Sequence, residues 1–81
     1  MMYLEIITPD KKLFEGETRL VGVPGTDGAF TMLNNHAAII STLSKGKIKV
    51  VDENQQEQFF DISSGVVEMN NNRVIILAET N

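Results

Sequence analysis

Turn residues interrupt this chain so often that no long helix fits between them. They fall at Pro9-Asp10, Gly16, Pro24-Gly25, Gly28, Asn34-Asn35, Lys45-Gly46, Asp52 to Gln56, Ser63 to Gly65 and Asn70 to Asn72. The intervening segments are short and rich in Val, Ile, Phe and Thr, side chains that are stiff at χ1 and favour extended backbone. Short β-branched runs with regular punctuation point to an all-β sandwich or barrel. Ala37 to Leu43 has room for a helical turn, but Ile39, Ile40 and Thr42 oppose it.

Alternation then assigns the strands. Tyr3 to Thr8 is the first, with Leu4 and Ile6 on one face. Lys11 to Phe14 begins a second that Gly16 closes, and Thr18 to Val23 is the third, with Val21 and Val23 sharing a face. The stretch from Val23 to Ile40 reads as strand, polar turn, short strand, turn and strand. Pro24 cannot donate to a ladder, Gly25 and Gly28 permit positive φ around Thr26-Asp27, and Phe30 and Met32 share one face of the short strand. Asn34-Asn35 turns the chain, and His36 is expected to open a strand through Ala37 to Ile40. Lys47-Ile48-Lys49-Val50 alternates basic with apolar, as a half-buried antiparallel strand does. Asp52 to Gln56 is a hairpin tip, and Gln58 to Ile62 returns from it with Phe60 and Ile62 on one face. Ser63-Ser64-Gly65 breaks that strand. Val66 to Met69 and Arg73 to Glu79 form a last hairpin around Asn70 to Asn72, ahead of the polar end Glu79 to Asn81. The whole length, 1–81, reads as one domain.

Composition excludes several kinds of chemistry. With no cysteine, disulfides, thiolate nucleophiles and cysteine metal sites are ruled out. Seven Lys and Arg against eleven Asp and Glu give a net charge of -4, which disfavours a phosphate-neutralising nucleic-acid face. The longest apolar run, Val74 to Ala78, falls far short of the ~20 residues of a membrane-spanning helix. Pro24-Gly25-Thr26-Asp27-Gly28 is glycine-rich but lacks the following Gly-Lys-Ser/Thr and helix of a phosphate loop, so it reads as a tight turn. Asp27, His36 and Ser41 hold the residue types of a triad without a nucleophile-elbow pattern. One histidine among scattered carboxylates makes a weak metal site, so neither metal nor cofactor is expected. His36 either caps its turn or faces a partner. Phe30 and Met32 suit the core, and also the apolar centre of a docking surface.

Three ordered blocks carry a resemblance. They are Leu4 to Gly16, then Val23-Pro24-Gly25-Thr26-Asp27-Gly28 with Asn35-His36-Ala37, then Ser63 to Val74. Together they resemble the N-terminal domain of the F-type ATP synthase epsilon subunit family over essentially the whole length. The resemblance implies a flattened sandwich of two roughly five-stranded antiparallel sheets. It implies a non-catalytic part of the central rotor, peripheral to the cytoplasmic face of the bacterial inner membrane. Its partners would be the gamma subunit and the polar loops of the c-ring, in a complex whose coupling ion is the proton by default. The interface is expected at Asp27, Ala29, Phe30, Met32, Asn34, Asn35 and His36, with one apolar sheet face toward gamma.

Many relatives carry Glu where Ala29 stands, and Pro where Asn34 and Ala38 stand. A less ionic ring contact is therefore expected, with Asp27 able to supply the charge. The family usually adds a C-terminal helical hairpin that restrains ATP hydrolysis and is associated with an ATP site. Within these 81 residues both functions are expected to be missing. Two other classes stand as alternatives: a β-sandwich module gripping a peptide or carbohydrate with exposed aromatics, and a small hydrolase using His36. Against the first, the chain holds five aromatics and no tryptophan.

Overall fold

A computed structural model describes residues 1–80; Asn81 lies outside them. Among the described residues nine strands run in order: β1 (Met2–Ile7), β2 (Lys12–Thr18), β3 (Leu20–Val23), β4 (Phe30–Leu33), β5 (Ile39–Leu43), β6 (Gly46–Val51), β7 (Glu57–Ile62), β8 (Ser64–Asn70) and β9 (Arg73–Glu79). They form two sheets. One has five strands in the order β2-β1-β9-β8-β5, the other four in the order β4-β3-β6-β7. All pairs but one are antiparallel; β1 and β9 run parallel, with Leu4 opposite Val74 and Ile6 opposite Ile76. The sandwich expectation stands, with nine strands and one parallel pair in place of ten and none.

Alternation puts one face of every strand inward. Met2, Leu4 and Ile6 from β1, Val67 and Met69 from β8, and Val74, Ile76 and Ala78 from β9 form the inner face of the larger sheet. Val21, Val23, Met32, Ile48, Val50 and Ile62 meet them from the smaller one. Each fully buried Val, Leu, Ile or Met side chain contributes ~1.5–3 kcal/mol relative to exposure. Phe14 and Phe60 meet edge to face at 6.1 Å between ring centroids and so join β2 to β7 at one side of the sandwich. The buried Thr18 hydroxyl reaches the Met2 carbonyl at 3.4 Å.

Some strand boundaries differ from the sequence expectation. Gly16 does not end β2; it stays in the ladder opposite Leu4. Thr18 therefore closes β2, and β3 begins only at Leu20. Ser64 and Gly65 belong to β8, paired with Glu79 and Ala78. His36, Ala37 and Ala38 precede β5 rather than open it. At the β6–β7 tip, the Asp52 carboxylate accepts from the Asn54 and Gln56 amides at 2.8 and 3.0 Å, and Gln55 takes the positive φ of 66°.

Candidate functional site

The residues singled out from the sequence sit on β4 and the two loops that flank it. The loop before β4, Pro24 to Ala29, is closed by the Gly28 amide donating to the Gly25 carbonyl at 3.0 Å. A Cβ on Gly25 would sit 2.6 Å from the Gly28 oxygen and 2.9 Å from the Phe30 ring, so only glycine fits. Gly28 takes a φ of 133°. This loop is tied to β5. The Thr26 amide donates to the Thr42 carbonyl at 3.1 Å, their hydroxyls meet at 2.7 Å, and the Ser44 amide donates to the Pro24 carbonyl at 2.8 Å. Asp27 and Ala29 are exposed at its tip.

The loop after β4 is held at the other end of the sandwich. The His36 amide donates to the Leu33 carbonyl at 3.0 Å around Asn35, whose φ is 67°. The Asn35 amide donates to Asn72 Oδ1 at 2.6 Å, and Asn72 Nδ2 donates back to Asn35 Oδ1 at 3.0 Å. His36 Nδ1 lies 2.8 Å from the Ala37 carbonyl, so that nitrogen carries the hydrogen and donates. His36 is half-buried; Asn34 and Asn35 are exposed.

The seven expected interface residues thus divide. Asp27 and Ala29 stand at one end of β4; Asn34, Asn35 and His36 stand at the other. Four residues of strand, about 13 Å, separate the ends. Met32 is withdrawn altogether: it is 0% exposed in the core, opposite Val21. Phe30 is half-buried and packs on the same core. The alternation that pairs Phe30 with Met32 points both inward, and Thr31 and Leu33 outward.

The residues left at the surface line one lateral edge of the sandwich. β4 ends the smaller sheet and β5 ends the larger one, and the Thr26–Thr42 contacts draw them together on one side. From Gly28 to Ser44 no Asp, Glu, Lys or Arg occurs. Leu33 is 52% exposed and Ile40 72% exposed, with Thr31, Ala37, Ala38 and Thr42 also open to solvent. The opposite edges, β2 and β7, carry Lys12, Glu15, Glu17, Glu57 and Asp61. Charge is a common device for keeping a free strand edge from pairing with other chains. Such charge lines the β2 and β7 edges and is absent from the β4 and β5 edges. Leu33 and Ile40 were not singled out from the sequence, although the uncharged run that flags them is plain in it.

The geometry does not assemble a reaction centre from the triad candidates. Ser41 Oγ donates to the Thr42 carbonyl at 2.9 Å, the His36 ring is engaged with Ala37, and Asp27 lies at the far end of β4. An open groove of ≈ 650 Å³ runs beside Ile7, Pro9, Val66, Leu77 and Glu79, with no aromatic ring in its lining. The platform that the carbohydrate or peptide module requires is therefore not at this groove.

The fold is that of a two-sheet β-sandwich domain. The chain belongs to the family of the ATP synthase delta/epsilon chain beta-sandwich domain, whose model matches residues 1–81. It is 36% identical over 80 residues to the ATP synthase epsilon chain of Protochlamydia amoebophila, covering 98% of this chain and 54% of that one. It is 37% identical over 76 residues to the epsilon chain of Chlorobium limicola, covering 94% and 86%. The fold matches a chain of the Euglena gracilis mitochondrial ATP synthase OSCP/F1/c-ring structure with a TM-score of 0.89 at 20% identity, over 95% of this chain and 49% of that one. It matches a chain of the Tetrahymena thermophila ATP synthase central stalk/c-ring structure at 0.79 and 17%, over 96% and 63%. The chain thus spans about half the length of some relatives and most of others.

Proposed function

We propose that this chain is a non-catalytic subunit of the central rotor of a proton-translocating F-type ATP synthase, coupling c-ring rotation to gamma and so to ATP synthesis elsewhere. The observation that carries this is the uncharged β4–β5 edge in a chain of the delta/epsilon family. The outer edge of β4, with the Thr31 and Asn34 side chains beside it, offers hydrogen-bonding groups to a partner. Asp27 is the one carboxylate bordering that edge, consistent with a contact less ionic than a glutamate at position 29 would give.

The mechanical role suits the construction. A coupling part must resist shear, and this one is cross-linked by continuous ladders and a packed core. Its two partner-side loops are each tied to the larger sheet system, one through Thr42 and one through Asn72. The site of action would be the cytoplasmic face of the bacterial inner membrane, with the chain peripheral to it. No helix among the described residues is long and apolar enough to cross a membrane.

Co-purification tests the reading. A tagged chain should bring down gamma and the c-ring from detergent-solubilised membranes, and its removal should uncouple ATP synthesis from the proton gradient. A chain that associates with neither, or that turns over a substrate alone with loss on His36→Ala, would overturn it.

A further inference from the structure

The two loops that flank β4 are held in different ways. Pro24 to Ala29 is tied by main chain: the Thr26 amide donates to the Thr42 carbonyl, the Pro24 carbonyl accepts the Ser44 amide, and Gly25 forms a bridge with Leu43. Asn34 to Ala38 lacks such support. Its main chain closes one turn, from the His36 amide to the Leu33 carbonyl, and the His36 ring bonds to the adjacent Ala37 carbonyl. None of these residues belongs to the core cluster, and all but His36 are exposed.

An open polar cavity of ≈ 410 Å³ lies at this end of the sandwich. Asn35, His36 and Ala38 line one side of it, and Asn70, Asn71 and Asn72 of the β8–β9 turn line the other. Asn72 bridges the two sides. Its Oδ1 accepts the Asn35 amide at 2.6 Å, and its Nδ2 donates to Asn35 Oδ1 at 3.0 Å. Among the described residues these are the only hydrogen bonds from the Asn34–Ala38 loop to any element beyond β4. A carboxamide suits the task, since it carries an acceptor and a donor in one plane. Asn71, beside it, has the same side chain and a similar left-handed backbone, with φ of 53° against 61°. It is exposed and holds nothing: its side chain makes no hydrogen bond among the described residues.

One side chain therefore sets the shape of one loop. Where the binding-competent shape of a loop is populated in part, apparent affinity falls by that fraction, and ordering the loop on contact adds to the cost. We infer that Asn72 is a positioning residue for the proposed interface: it holds the Asn34–Ala38 loop in the conformation that a partner meets, without touching the partner itself. The inference rests on the rotor reading above and adds to it a residue outside the expected contact set.

Binding kinetics of the purified full chain on the gamma–c-ring subassembly test it, with hydrogen exchange of the Asn35 amide followed in parallel. Asn72→Gly keeps the left-handed turn and drops both bonds to Asn35. It should weaken binding about tenfold through slower association, because the contacts of the finished complex are unchanged. The Asn35 amide should exchange faster by a similar factor. Asn71→Gly, one position away, should change binding less than about twofold. Equal binding by wild type and Asn72→Gly would overturn the inference and leave the rotor reading standing. Equal losses in Asn71→Gly and Asn72→Gly would also overturn it, since the turn itself would then be the contact. A loss confined to faster dissociation would mean that Asn72 touches the partner rather than setting the loop. Wild type that binds no subassembly would end the rotor reading and this inference together.

Discussion

Asn35 and Asn72, 37 residues apart, hold each other by two hydrogen bonds across the end of the sandwich. Asn72 does more than clasp the loop. Its carbonyl accepts the Tyr3 amide at 2.9 Å, and its backbone takes the left-handed φ of 61° that completes the β8–β9 turn. One residue thus fixes the loop ahead of β5, the turn and the start of β1 together.

Replacing it separates these roles. Asn72→Ala loses both clasp bonds and puts a Cβ at positive φ, for about 2–3 kcal/mol of stability. Asn72→Gly loses the bonds but keeps the backbone free, and should cost about 1 kcal/mol. Urea unfolding measures both. Hydrogen exchange at the Asn35 amide should accelerate in each. Equal stability of the two variants would show that the left-handed backbone is not what the asparagine serves.

Met32 and Leu33 are neighbours that do opposite work. Met32→Ala should lower stability by about 2–5 kcal/mol, because its side chain is fully enclosed and leaves a cavity. Leu33→Asp combined with Ile40→Asp should cost less than about 1 kcal/mol in total, since both are surface sites. The second variant should nonetheless lose co-purification with the gamma–c-ring subassembly. Retention of the subassembly by the double aspartate variant would remove the uncharged edge from the interface.

Much of this architecture is legible in the sequence. Lys47 to Val50 declares its pleat by alternation, and the turns at Asp27, Asn35 and Asn71 are declared by residues that tolerate them. The parallel pairing of β1 with β9 is not, because no local pattern records which distant strands will meet. Gly16 and Gly65 read as breaks but lie within strands; at Gly65 the β9 backbone leaves no room for a Cβ. The proposed interface was legible in half. Its loops were flagged by turn chemistry, yet period two sends Met32 to the core and leaves Leu33 and Ile40 at the surface. The charge-free run from Gly28 to Ser44 was the missing clue, and it takes on meaning only once β4 and β5 are known to be edges.

Gly65 and Gly22 make a matched test of close approach. A Cβ on Gly65 would stand 2.7 Å from the Leu77 carbonyl oxygen, which is β9 backbone and cannot turn aside. Gly65→Ala should therefore cost about 2 kcal/mol or more. A Cβ on Gly22 would meet Lys49 and Thr31 at 3.7 Å, an ordinary contact. Gly22→Ala should stay within about 0.5 kcal/mol, with the lost freedom of the unfolded chain favouring a small gain. Thermal melts of the two variants measure the difference, and similar melting temperatures would contradict the packing at Gly65.

The β1–β2 side of the larger sheet carries a pH dependence. The Tyr3 hydroxyl donates to the Glu15 carboxylate, and Lys12 reaches Glu15 at 2.9 Å and Glu5 at 3.0 Å. The Tyr3 bond, then Lys12, hold Glu15 below its usual 4.5. The bond to Glu15 raises Tyr3 above 10.0, and the bonds to Glu15 and Glu5 raise Lys12 above 10.5. A lowered carboxyl contributes stability above its unfolded value and loses it as pH falls through the folded one. The raised groups do the reverse: their contribution is complete below 10.0 and 10.5 and fades as pH rises through the folded values. Tyr3→Phe isolates the hydroxyl, since a phenyl ring still lies under Arg73. The variant should be slightly less stable than wild type at neutral pH, and the gap should close as pH falls below about 4. All of these groups face solvent, so the gap is small and shrinks further with salt. Urea midpoints collected from neutral pH to about pH 3 measure it. A gap that stays constant across that range would mean that the Tyr3 hydroxyl does not act through Glu15.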